Sequence, residues 1–248
     1  MNNIVLHIPH SSLRLPCKFF KNVITDKQKV ISFNQDITDL YTNELFGKNT
    51  FKKVIAKYSR IFCDTEKFTD DNKEVMSKFG MGFVYSHTNK GENFIKISTD
   101  YKNKILNNYY KKYHTKLDTL VEKSLRNKKT ILLDCHSFSR DIIMFEDKKE
   151  NLPDICIGFD NLYYNETLIN YIKSYFENLG YTTNFNYPYS GTIIPNKYFQ
   201  EKTDNLYCAM IEINKKLYLD ENNNKNSNFK KIRNQIQKLL KELKIMKL

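Results

Sequence analysis

Short apolar runs recur along the chain and are separated by longer stretches in which apolar residues return every three or four positions. Strands are predicted at 4–8, 53–56, 60–63, 130–135, 154–158, 181–185 and 207–213. The longer stretches have the period of amphipathic helices. Strands that alternate with helices favour a largely parallel sheet that is covered on both faces. No internal repeat or composition break divides the chain, so the pattern predicts a single α/β domain over residues 1–248.

The clearest helical period runs from Asp100 to Leu125. A second helix is predicted at 168–179, where Gly180 ends it, and a third begins near Ser227. The last helix is expected to bury apolar residues at helical spacing: Phe229, Ile232, Ile236, Leu239, Leu240 and Leu243. A shorter helix is predicted at 37–46.

The composition argues for a soluble protein without a specific nucleic-acid partner. The formal net charge is +12, but the lysines are spread along the whole chain and arginines are few. Scattered lysines are typical of a solvated surface, although they also attract anionic substrates. The five cysteines form no Cys-x-x-Cys pair and are expected to be free thiols in a reducing compartment. No apolar run is long enough to span a membrane and no signal peptide is evident, so we expect a cytoplasmic location.

Two histidines follow predicted strands, where ligands bind in α/β sheets. His10 follows the strand at 4–8, and His136 follows the apolar run that ends at Leu133. Together they could bind one Zn²⁺, although each alone could be a hydrogen-bonded structural histidine. Glu212 lies amid apolar residues near the end of the last strand. There it could act as a general base or pair with a cation.

Several short blocks resemble N-formylglutamate amidohydrolases. They appear in the family's order between about residues 4 and 221, at 7–12 (HIPHSS), 34–40, 59–64, 113–114, 133–138, 154–158, 188–191 and 211–214. The resemblance implies a three-layer α/β domain of the zinc-exopeptidase (phosphorylase/hydrolase-like) type. It also implies a Zn²⁺-dependent hydrolase that releases formate from N-formyl-L-glutamate. Other acyl groups, a peptide terminus, or a non-catalytic basic binding protein that keeps the fold remain alternatives.

More distantly, the chain resembles zinc carboxypeptidases and aspartoacylases, in which a His-x-x-Glu pair and a later histidine bind the metal. His10, His136 and Glu212 match the two histidines and the late base of that pattern. Leu13 stands where the glutamate would be, so the carboxylate ligand is expected elsewhere. Asp36 is the predicted ligand, and an N-cap of the helix at 37–46 is its alternative role.

Four residues are predicted to contact the substrate. Arg60 can bind a carboxylate with two N–H groups, and Arg140 could bind a second carboxylate or lie on the surface. His114 could contact the substrate, ligate the metal, or be a helix-surface histidine. Gly191 could bring backbone close to a ligand or belong to an ordinary turn.

Two aspartates are predicted to orient these groups. Asp134 is expected to orient His136, or else to accept backbone N–H bonds. Asp64 is expected to orient Arg60 or to cap a turn. Lys67 occupies a position where the family usually has arginine, and His7 is expected to be structural.

Overall fold

A computed structural model describes residues 1–47, 50–126, 128–139 and 151–248. Within these ranges a six-stranded sheet has the order β2-β1-β3-β6-β4-β5. The strands are β1 Asn3–Ile8, β2 Lys52–Ile55, β3 Thr130–Phe138, β4 Ile155–Gly158, β5 Thr183–Phe185 and β6 Leu206–Asn214. β3 lies parallel to β1 and β6, and β5 lies parallel to β4, whereas β4 runs antiparallel to β6. The predicted α/β fold with a mixed, largely parallel sheet is confirmed.

The prediction of a strand at 60–63 is wrong. Residues 60–62 form a turn, in which the N–H groups of Phe62 and Cys63 both donate to the carbonyl of Ser59 at 3.1 Å. The apolar side chains of this segment are nevertheless buried. A short apolar run indicates that its side chains are buried, but it does not distinguish a buried strand from a buried turn.

The helices are α1 Lys27–Ile37, α2 Thr42–Leu45, α3 Thr99–Ile105, α4 Lys111–Leu125, α5 Glu166–Glu177, α6 Asn196–Gln200 and α7 Phe229–Ile245. The predicted helix at 37–46 is wrong, because α1 ends at Ile37 and Thr38 is extended. The other helix predictions are confirmed within a few residues. A π-helical segment at Leu106–Tyr110, which the apolar period did not predict, joins α3 to α4.

The described contacts divide the chain into two compact units. Unit 1 comprises Met1–Ile8, Tyr41–Val54 and Leu117–Leu248, and unit 2 comprises Pro9–Leu40 and Ile55–Lys116. That both belong to one domain stays a prediction. No helix within the described ranges is long and apolar enough to cross a membrane.

Unit 1 contains the sheet. Every residue of β3 is buried, α5 packs on β4, and α7 packs on β1. The predicted apolar face of α7 is buried as expected. The core of unit 2 is rich in aromatic rings, among them Phe19, Phe33, Phe62, Phe83, Tyr85 and Phe94.

Candidate active site

In unit 2, the buried carboxylate of Asp64 connects His10 with Arg60. Its Oδ1 lies 2.9 Å from His10 Nε2, and its Oδ2 accepts hydrogen bonds from Arg60 Nε at 3.1 Å and Nη2 at 3.0 Å. Oδ2 also accepts from the hydroxyl of Tyr85 at 2.9 Å. Burial alone would raise the pKa of Asp64, but Arg60 and His10 hold that pKa well below its usual range. Asp64 is therefore a carboxylate that orients both partners.

The other ring nitrogen of His10 faces two carboxylates. Nδ1 lies 3.4 Å from Glu66 Oε2 and 3.9 Å from Asp39 Oδ2. Nε2 donates to Asp64, so Nδ1 is the ring nitrogen directed at Glu66 and Asp39. A ring nitrogen with two carboxylates close to it is a place where a cation is stabilised. Imidazole nitrogen and carboxylate oxygen are ligands that suit Zn²⁺.

Within unit 2, potential metal ligands cluster around this ring. His10, Asp64 and Glu66 each bring a nitrogen or oxygen atom within 4.8 Å of the others. Asp64 already accepts from Arg60 and Tyr85, so Glu66 is the carboxylate of this group that better suits a metal. The residues present therefore fit a divalent metal ion.

Asp36 is not among the described residues that bring a ligand atom to this cluster. Asp36 lies exposed in the last turns of α1, whereas Asp39 is buried and its N–H donates to the carbonyl of His10 at 3.0 Å. The N-cap role proposed for Asp36 is wrong, because α1 begins at Lys27 with Asp26 as its N-cap. The geometry favours Asp39 and Glu66 over Asp36 as carboxylates near His10.

His114 is buried rather than on the helix surface, so the surface alternative is wrong. Its Nε2 lies 2.7 Å from the carbonyl oxygen of Thr65. A carbonyl only accepts, so Nε2 carries the proton and donates this bond. Lys67, two residues further on, forms an ion pair with Glu74 at 3.3 Å.

In unit 1, Asp134 bonds two histidines. Its Oδ1 lies 2.7 Å from His7 Nδ1 and 2.8 Å from His136 Nε2, and its Oδ2 accepts the N–H of Ile193 at 2.9 Å. Burial opposes ionisation, but His136 and His7 hold the pKa of Asp134 well below its usual range. The bond through which Asp134 is predicted to orient His136 is present. His7, which is predicted to be structural, bonds the same carboxylate oxygen as His136.

The sheet register explains this arrangement and adds Glu212 to it. His7 on β1 is the register partner of Asp134 on β3, and His136 is the partner of Glu212 on β6. Residues two apart on a strand share a face, as do register partners on neighbouring strands. The buried Glu212 therefore lies beside His136 on one face of the sheet.

Gly191 belongs to the loop that supplies the N–H of Ile193. Its φ is +85°, and its N–H donates to Asn186 Oδ1 at 3.1 Å. A Cβ on Gly158 would lie 2.3 Å from the carbonyl oxygen of Gly191, so this loop packs directly against the end of β4. A direct contact of Gly191 with substrate stays a prediction.

Two predictions are left open. Arg140 lies outside the described residues. His10 and His136 belong to different units, so their convergence on one metal ion stays a prediction from the sequence.

The sequence did not point to Asp39, Glu66 or Tyr85, or to the partnership of His7 with Asp134. A signal existed for His7, because the predicted strands at 4–8 and 130–135 each carry a polar residue near the end, His7 and Asp134. Nothing in residue spacing pointed to Tyr85, which reaches Asp64 from a distant part of the chain.

The family model for N-formylglutamate amidohydrolase matches residues 2–219. The crystal structure of N-formylglutamate amidohydrolase from Ralstonia eutropha JMP134 is similar with a TM-score of 0.82 and 18% identity, covering 98% of this chain and 94% of that one. The gene product Atu2144 from Agrobacterium tumefaciens is similar with a TM-score of 0.69 and 17% identity, covering 98% and 92%. No functionally curated protein matches the chain.

Proposed function

We propose, from the premise that the chain belongs to the N-formylglutamate amidohydrolase family, that it is a metal-dependent hydrolase of N-acylated acidic amino acids. N-formyl-L-glutamate is the first substrate to test, with formate and L-glutamate as products. The family supports amide hydrolysis, and the choice of substrate and metal is our proposal.

The observation that carries the proposal is the setting of His10. Asp64 orients the ring through Nε2, and two carboxylates lie within 4 Å of Nδ1. Asp64 is a typical partner for a metal-ligating histidine, since such histidines donate their other N–H to a carboxylate. We infer that His10, with Glu66 or Asp39, binds the metal. His136 completes the proposed ligand set, and Asp134 orients it in the same way.

Zn²⁺ is the proposed metal; bound here, it would polarise the scissile carbonyl and acidify a water molecule. We assign to Glu212 the role of general base, which takes the proton of the attacking water and delivers it to the leaving nitrogen. Arg60 uses its Nε and Nη2 atoms on Asp64. Nη1, on the other edge of the guanidinium, is the atom we assign to a substrate carboxylate.

Metal analysis tests the ligand assignment. We expect purified protein to bind about one zinc ion per chain. His10→Ala and His136→Ala should each lose it, and Glu66→Gln or Asp39→Asn should weaken binding. Asp36→Asn is the matched control, because Asp36 is exposed and should not affect metal affinity. Metal loss in Asp36→Asn with full binding in Asp39→Asn and Glu66→Gln would reverse our assignment.

Formate release tests the substrate. Zinc-loaded protein should hydrolyse N-formyl-L-glutamate faster than N-formyl-L-alanine, because only the former offers a side-chain carboxylate. Arg60→Lys should raise KM more than it lowers kcat, because lysine cannot reproduce the planar guanidinium. Equal rates on both substrates would refute the selectivity for acidic amino acids.

A further inference from the structure

The segment Asp64–Phe68, which carries Glu66, is fixed by hydrogen bonds along its backbone. The Asp64 N–H donates to the carbonyl of Phe83 at 2.8 Å, and the Glu66 N–H donates to Asp64 Oδ1 at 3.1 Å. The Phe68 N–H donates to Glu74 Oε2 at 3.2 Å. This segment therefore has little freedom, although it contains no strand or helix.

Two of its carbonyls are held by side chains of one helix. His114 Nε2 donates to the carbonyl of Thr65 at 2.7 Å, and the hydroxyl of Tyr110 donates to the carbonyl of Lys67 at 2.9 Å. These two carbonyls flank Glu66 on either side. Removing either donor would leave a carbonyl in a largely buried place without its partner.

Tyr110 and His114 lie on one face of this helix, close to a π-helical segment. Tyr110 and His114 are four residues apart, so they share a face, and their rings lie 4.4 Å apart. Tyr110 ends the π-helical segment Leu106–Tyr110. A π turn shifts the helical face that follows it and is frequent at functional sites.

We propose that Tyr110 and His114 are positioning residues that set the carboxylate of Glu66 against His10 Nδ1. The inference deepens the proposed function and rests on its assignment of Glu66 to the metal. His114 acts through the backbone of the Asp64–Phe68 segment rather than by touching the metal or the substrate. Its Nε2 is engaged by the Thr65 carbonyl and does not supply a metal ligand.

Metal affinity is the readout that tests this role without relying on activity. Chelator-treated protein is titrated with Zn²⁺ in competition with a chromogenic chelator. We expect Tyr110→Phe and His114→Leu each to weaken binding by about 10- to 100-fold, the usual effect of losing an outer partner of a ligand. His114→Gln should restore most of the affinity, because its amide can donate from near the position of Nε2.

Tyr109→Phe is the matched control. Tyr109 belongs to the same π-helical segment, but its ring packs against Tyr58 and Phe62. This variant loses a hydroxyl next to Tyr110 and should keep the native metal affinity. If His114→Leu fails to fold, Tyr110→Phe, which removes a single oxygen, still tests the proposal.

A double-mutant cycle with Glu66→Gln separates positioning from general stability. In the Glu66→Gln background, His114→Leu should cause no further loss of metal affinity, whereas its effect on Tm should persist. An additive loss of affinity would mean that His114 acts independently of Glu66 and would overturn the proposal.

The same measurements distinguish a wrong assignment of Glu66 to the metal from a wrong positioning role for Tyr110 and His114. If Glu66→Gln binds Zn²⁺ as tightly as the native protein, the assignment of Glu66 is wrong and the positioning role falls with it. If Glu66→Gln weakens binding but Tyr110→Phe and His114→Leu behave like Tyr109→Phe, the proposed function stands and the positioning role is refuted.

Discussion

Asp64 and Asp134 each orient a histidine ring through a hydrogen bond to its Nε2. Each buried carboxylate accepts from a ring Nε2 and from at least one further donor. Hydrogen bonds to an ionised carboxylate are stronger than neutral ones, so these bonds fix the orientation of each ring. Both rings thereby use Nε2 for orientation, and Nδ1 is the nitrogen assigned to the metal.

Glu212 is proposed to move protons without ligating the metal. We expect Glu212→Gln to keep its zinc and its fold, while kcat falls by about 10²- to 10⁴-fold. The isosteric amide removes basicity with little change of shape. Formate release, zinc content and Tm are measured on the same preparation. Loss of zinc would make Glu212 a ligand, and unchanged turnover would assign the base to another residue.

At the residue scale, the sequence could identify groups at strand ends but not groups in loops. His136, Asp134 and Glu212 follow from the strand pattern, because the period of a strand fixes which face a side chain takes. Asp39 does not follow from any period. It points inward because α1 ends at Ile37 and the extended Thr38 turns the chain, and no spacing rule encodes that turn.

At the scale of elements, the position of the loop after β5 depends on Gly158, which has no side chain. A Cβ on Gly158 would lie 2.3 Å from the carbonyl oxygen of Gly191 and 2.5 Å from Met210 Cε. The Gly191 carbonyl oxygen belongs to the backbone, so it cannot move aside as the end of a flexible side chain can. The loop that bonds Asp134 through Ile193 would have to move.

We therefore expect Gly158→Ala to lower the free energy of unfolding by about 1–3 kcal/mol, as overpacking does. It should also lower kcat, because Asp134 loses its backbone donor. Gly180→Ala is the comparison: φ is +88° but the space around its Cβ is open, so it should cost stability without affecting kcat. Chemical denaturation and formate release measure both effects. A Gly158→Ala protein with native stability would refute the packing argument.

The apolar pattern predicted six strands and the long helices because burial dictates their periods. It failed at 60–63, where the same apolar content fills a turn. It also missed the π-helical segment at Leu106–Tyr110, because the apolar residues keep spacings of three and four across it.

At the scale of the whole molecule, the buried carboxylates govern acid stability. The pKa of Asp64 is lowered in the folded state by Arg60 and His10, although burial opposes the shift. A lowered pKa means that stability is fully present above the unfolded value, about 3.9, and is lost as pH falls toward the folded value. We expect the free energy of unfolding of metal-free protein to drop as pH falls below about 4.

Asp64→Asn supplies the control in urea unfolding measured from pH 7 to pH 3. At pH 7 it should be less stable by about 3–5 kcal/mol, because the part-buried Arg60 loses its buried counter-charge. Its stability should also depend less steeply on pH than that of the native protein. An unchanged pH dependence would show that Asp64 is not a source of the acid sensitivity.

Fold class and family are the properties that the sequence predicted most fully. The sheet and the helices follow from apolar periods, and the family follows from ordered blocks that the family model matches over residues 2–219. The bonds of Asp64 with His10 and Tyr85 join separate stretches of the chain, and they cannot be read from any single stretch.

The order of strands in the sheet has a consequence for synthesis on the ribosome. β1 pairs with β3, beginning at Asn3 opposite Thr130, and β3 pairs with β6, beginning at Thr130 opposite Leu206. The edge of β1 that pairs with β3 must therefore wait until β3 has been translated, and the edge of β3 that pairs with β6 must wait for β6. Pairings between such distant segments form slowly, and the waiting strands are exposed to aggregation. Nascent chains shorter than about the first two hundred residues should depend on chaperones more than the finished protein does.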